Sequence, residues 1–67
     1  MKKVSNLQMT FATNVKFRRK KKGLTQAELA KKIGVSTSFI TEIETTRKAP
    51  SFQTIEKISD AIEEVFR

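Results

Sequence analysis

An all-α bundle of short helices is what the sequence predicts, on three observations. Gly occurs twice and Pro once in 67 residues, apolar residues recur at three- and four-residue steps in four separate segments, and each segment opens near a Ser or Thr able to cap a helix. No stretch alternates apolar and polar residues between turn residues, as a half-buried strand would.

The first segment is TFATNVKFRRKKKG, residues 10–23. Thr10 is placed to cap a helix on which Phe11, Ala12, Val15 and Arg19 share one face, and Gly23 closes it in the αL conformation that a residue without Cβ adopts at least cost. Arg19 thereby points inward, where a lone charge is costly. Phe17 falls off this stripe and is left to contact the N-terminal arm, residues 1–9, or another subunit. The domain proper is then residues 10–67.

In LTQAELAKKIG, Thr25 and Glu28 have the spacing of a capping box, Leu24 precedes the cap as a staple against Leu29, and Gly34 ends the helix. In VSTSFITEIE, Ser36 is the cap, Val35 the staple against Ile40, and Ile40 and Ile43 form the inner edge. After the loop TTRKA, Pro50 and Ser51 start a fourth helix whose Phe52, Ile55, Ile58, Ile62 and Val65 make an apolar stripe. Core packing is the first use of that stripe, with Val65 and Phe66 left over for an interface.

Two short helices joined at a single Gly, with Leu29 and small Ala30 facing the second, describe a helix-turn-helix over about residues 25–45. Ala30 lets the helices approach, and Gly34 supplies the positive φ of the turn. Gln26, Ala30, Gly34, Val35, Ile40 and Ile43 satisfy the positions at which the motif is restrictive.

Charge narrows the partners. Residues 1–50 hold twelve basic and three acidic side chains, while residues 51–67 hold two and four. A positive field concentrated in this way suits nucleic acid, anionic lipid or an acidic protein. The run Arg18–Lys22 serves such a field diffusely or is simply a solvated helix end beside the negative pole of its dipole. With neither Cys nor His, a disulfide scaffold, thiolate chemistry or a zinc site is not expected. No phosphate-cradling Gly loop or inward carboxylate pair suggests catalysis, so an enzyme and a cofactor are not expected. No apolar run is long enough to span a bilayer or form a signal peptide, and a cytoplasmic protein follows. A chain of this length buries about 60% of its unfolded surface, so pairing with a second copy would help its stability.

The stretch RRKKKGLTQAELAKKIGVSTSFITEIETTRKAPS, continuing into TIEKISDAI, resembles the phage-repressor type of helix-turn-helix domain, the Cro-like or Xre-like regulators of bacteria and phages. The resemblance covers roughly residues 11–62. It implies a lambda-repressor-like bundle of four to five helices that binds a pseudo-palindromic operator in double-stranded DNA as a homodimer, with the third helix in the major groove. It also implies residue roles: Gln26 on a phosphate, Thr37, Ser38, Thr41 and Glu42 on the base-reading face, Arg47 and Lys48 gripping the backbone, and Arg19 with Glu44 as an internal salt bridge. Glu42 either accepts from a cytosine amino group or holds Arg47 or a threonine in place. The sequence departs from the family where Thr46 stands in place of a usual Gly, and where Ile62 runs into EEVFR without the usual turn. The expected function is that of a transcriptional repressor. An antitoxin or restriction-modification controller with a protein partner uses the same scaffold, as does a basic protein-interaction or membrane-surface module.

Overall fold

The computed structural model describes residues 5–63, and every regular element among them is a helix: α1 (Asn6–Lys21), α2 (Gln26–Ile33), α3 (Thr37–Glu44) and α4 (Phe52–Glu63). α2 packs on α3, α1 on both α3 and α4, and α4 returns to α2, so the four enclose one core. That core is Val15 of α1, Leu29 and Ala30 of α2, Ile40 and Ile43 of α3, and Ile58, Ala61 and Ile62 of α4. Phe11, Ile33, Val35 and Phe39 pack around it, half-buried.

Every helix starts on a hydroxyl. Ser5, Thr25, Ser36 and Ser51 accept from the backbone N–H three residues on, at 3.0–3.2 Å, each satisfying a donor that has no partner inside its own helix. At α2 the bond is reciprocated by Thr25 N–H to Glu28 Oε1 at 2.8 Å, completing the capping box.

The first of these caps corrects the sequence-based boundary. α1 begins at Asn6, and Thr10 lies inside it, exposed, so residues 6–9 of the expected arm are helical. Ser5-Asn6-Leu7-Gln8 has the Ser-x-x-Gln spacing of a helix start, and nothing between it and Thr10 breaks a helix. A second correction concerns Phe52, which is 86% exposed rather than part of the core stripe. It is the first residue of α4, a turn ahead of half-buried Ile55 and two ahead of buried Ile58, so it overhangs the end of the bundle. Phe17 is 63% exposed, with the Lys21 ammonium 5.9 Å from its ring centroid. Val65, Phe66 and the dimer surface expected of them lie outside the described residues.

Three helix ends share one hydrogen-bond pair. Leu24 N–H reaches Arg19 C=O and Gly23 N–H reaches Lys20 C=O after α1; Val35 reaches Ala30 and Gly34 reaches Lys31 after α2; Arg47 reaches Glu42 and Thr46 reaches Ile43 after α3. This paired closure needs a residue with positive φ at the penultimate donor. Gly23 and Gly34 supply it at +78°, and Thr46 supplies it at +60°. A β-branched residue in that region is strained, because its Cβ crowds the following carbonyl.

Two substitutions measure this asymmetry by thermal unfolding. Thr46→Gly should gain about 1 kcal/mol, which for a domain of this size raises Tm by about 4–8 °C. A Cβ added at Gly34 meets no atom within 4 Å, so Gly34→Ala isolates the backbone cost. It should lose about 1–2 kcal/mol. A Thr46→Gly chain melting below wild type would show that the Thr side chain itself holds the turn.

Candidate nucleic-acid interface

α3 is placed by a buried ion pair. Arg19 is 6% exposed, and its Nε donates to Glu44 Oε2 at 2.7 Å while Nη2 donates to Oε1 at 3.0 Å. Its Nη1 donates to the Leu24 carbonyl at 2.8 Å, tying in the α1–α2 turn. The Glu44 side chain is 2% exposed, and Oε1 also accepts from Gln26 Nε2 at 3.0 Å. The planar fork of a guanidinium matches both carboxylate oxygens, and the extra bonds satisfy what remains of each group, which is the condition under which a buried pair is tolerated.

Gln26, the first residue of α2, is therefore held at both ends. Its Nε2 faces Glu44, and its Oε1 accepts from Thr41 Oγ1 at 2.8 Å. Thr41, in the middle of α3, thus connects to the core through Gln26. The capping box occupies Glu28 N–H and leaves the Gln26 and Ala27 N–H groups at the start of α2 without partners among the described residues. With the positive end of the helix dipole, those groups suit an anionic oxygen.

With Ile40, Ile43 and Glu44 turned inward, the opposite side of α3 carries Thr37, Ser38, Thr41 and Glu42, continued by Thr45 at its C-cap. All are exposed except half-buried Glu42. Thr45 joins this face beyond the residues that the family resemblance implies, and the four-residue step from Thr37 through Thr41 is its signal in the sequence. Its hydroxyl donates to the Thr41 carbonyl at 2.7 Å.

The loop beyond α3 carries Arg47 and Lys48, both exposed. Glu42 Oε1 lies 3.9 Å from Lys48 Nζ, and the same ammonium is 5.3 Å from the Phe39 ring centroid. The Glu42 carboxylate meets Lys48 rather than the Arg47 or threonine side chain expected of it, while its backbone carbonyl accepts from Arg47 N–H at 2.8 Å. An exposed pair of this kind contributes about 0.2–1 kcal/mol, little enough to be given up to a competing phosphate. Gln8, from the first turn of α1, donates Nε2 to the Thr46 carbonyl at 3.3 Å and so braces the loop from behind. No local sequence signal announces a contact between residues 38 positions apart.

Among the described residues no group of acidic, His or Cys side chains could hold a metal ion, and no helix is long and apolar enough to cross a membrane. A family model described as Helix-turn-helix matches residues 15–65. The immunity repressor protein of Bacillus phage phi105 is 39% identical over 54 residues, which is 81% of this chain and 38% of that protein. The ImmF control region 10 kDa protein of the same phage is 40% identical over 45 residues, 67% of this chain and 50% of the relative. The chain therefore aligns with half or less of the length of these curated relatives. No solved structure matches it.

Glu44→Ala leaves the Arg19 guanidinium buried without its carboxylate and should destabilise the fold by about 3–5 kcal/mol. Chemical denaturation measures this. Pairing Arg19→Met with Glu44→Leu leaves no buried charge and should recover part of the loss. A double variant no more stable than Glu44→Ala would locate the stabilisation outside the pair.

Proposed function

The chain belongs to the helix-turn-helix family, of the phage-repressor type, and from that premise we propose that it is a sequence-specific, double-stranded-DNA-binding repressor of transcription. The observation that carries this reading is the division of α3: Ile40, Ile43 and Glu44 anchor one side, while the other offers five polar side chains framed by the start of α2 and the basic loop at Arg47 and Lys48. An α-helix with a polar outer face and cationic flanks has the dimensions and charge of a major-groove reader.

In the proposed complex α3 lies in the major groove. Thr37, Ser38, Thr41 and Glu42 face base edges, which specify, while Gln26, Arg47 and Lys48 meet phosphates, which position. Gln26 has one Nε2 hydrogen engaged by Glu44, and its second hydrogen is available to a phosphate oxygen beside the free N–H groups of α2. Lys48 would exchange Glu42 and Phe39 for a phosphate. Two copies of the chain would place two α3 helices in successive grooves about 34 Å apart, giving a pseudo-palindromic operator. A repressor role draws support from the relatives, named as an immunity repressor and a control region protein.

Titrating a selected duplex across a salt series tests the mechanism. Log K should fall linearly with log salt, by about 0.9 for every phosphate neutralised, and Arg47→Ala should make the slope shallower by about that amount with base preference unchanged. A slope near zero for the wild-type chain would overturn the DNA-binding reading.

A further inference from the structure

The polar side chains on the outer face of α3 are not equivalent as hydrogen-bonding groups. Thr41 Oγ1 carries one proton, and two acceptors meet it from within the protein: Gln26 Oε1 at 2.8 Å and the Thr37 carbonyl at 3.2 Å. Gln26 cannot reverse its carboxamide to release that proton, because its Nε2 is held at 3.0 Å by Glu44, and a carboxylate only accepts. Thr45 Oγ1 is committed in the same way, to the Thr41 carbonyl at 2.7 Å, with the Glu42 carbonyl next at 3.4 Å. A hydroxyl whose proton is engaged keeps lone pairs alone for an outside partner. Glu42, on the same outward side, has a carboxylate, which offers lone pairs alone as well. One turn earlier the situation differs: the Thr37 and Ser38 hydroxyls make no hydrogen bond among the described residues and are able to donate or accept.

We propose that the second turn of α3 with its C-cap, Thr41, Glu42 and Thr45, is an acceptor-only surface that selects base pairs by the exocyclic amino group they present in the major groove, adenine N6 or cytosine N4. The inference rests on the DNA-binding reading above and deepens it by naming the chemical group read. A guanine O6, a thymine O4 or a purine N7 set against this turn brings lone pair against lone pair. The first turn, with free hydroxyl protons at Thr37 and Ser38, carries no such polarity. At the pairs facing the second turn, A·T and C·G in one strand orientation are accepted alike, and T·A and G·C are rejected.

The test begins with selection of bound duplexes from a random library by wild type, Thr41→Val and Glu42→Ala. Pairs whose preference changes in a variant are those the second turn faces. In those pairs, replacing adenine by purine or cytosine by pyrimidin-2-one deletes the amino group and should weaken wild-type binding about tenfold or more. Replacing the purine by its 7-deaza analogue, which lacks N7, should leave binding unchanged. The amino-group penalty should vanish in the variant that has lost the facing acceptor, which separates it from weaker pairing within the analogue duplex. A penalty that follows N7 or a keto oxygen overturns the acceptor assignment while leaving DNA binding intact, as does the absence of any change of preference in either variant. A folded wild-type chain that enriches no duplex overturns the DNA-binding reading and the inference together.

Discussion

The architecture turns on the Arg19–Glu44 pair. It joins the last turn of α1 to the last turn of α3, reaches the Leu24 carbonyl in the α1–α2 turn, and takes in Gln26 at the start of α2. Three helices thus meet at one polar point beside an otherwise aliphatic core. Aliphatic packing is tolerant of small rotations and shifts, since apolar contacts are non-directional. A bidentate ion pair is not, because its two hydrogen bonds fix both distance and plane. The apolar residues supply cohesion, and the pair sets how α3 is turned about its own axis.

That rotation decides which residues of α3 face solvent. With Glu44 drawn inward beside Ile40 and Ile43, the opposite face must carry Thr37, Ser38, Thr41, Glu42 and Thr45. Gln26 extends the constraint from the core to the surface. Its nitrogen is required by Glu44, so its oxygen has to look elsewhere, and Thr41 supplies the proton. The hydrogen-bonding character of an exposed threonine is in this way set by a buried carboxylate one residue removed. Burial and surface chemistry, commonly treated as separate matters, are here one connected network.

Much of the scaffold was legible in the sequence because its signals are local. Thr25 with Glu28, Ser36, Gly23 and Gly34 each announce a helix boundary within four residues of themselves, and the structure uses all of them. The start of α1 departs from the sequence-based boundary because Thr10 stands next to the apolar stripe, while the turn headed by Ser5 leaves its apolar Leu7 and Met9 exposed and so adds nothing to that stripe. Phe52 departs from the stripe because periodicity gives the direction of a side chain but not the place where the neighbouring helices stop. Among candidate site residues, the pairing of Arg19 with Glu44 came from the family resemblance, since no rule of spacing brings residues 25 positions apart together. The contacts Gln26–Glu44, Gln8–Thr46 and Lys48–Glu42 depend on how helices and a loop sit in three dimensions, and local patterns could not have announced them.

The positive φ of Thr46 has a consequence for populations. Strain of about 1–2 kcal/mol at one helix end, absent from the two that glycine relaxes, shifts the local balance between closed and open backbone by a factor of about 5–30. Relative to a glycine at position 46, the closed end of α3 that leads into Arg47 and Lys48 is weakened by that factor, and the Gln8 bond to the Thr46 carbonyl offsets part of it. A platform fixed by its buried ion pair thus hands its cationic loop a joint whose closure is opposed by its own backbone and held by a side chain from α1.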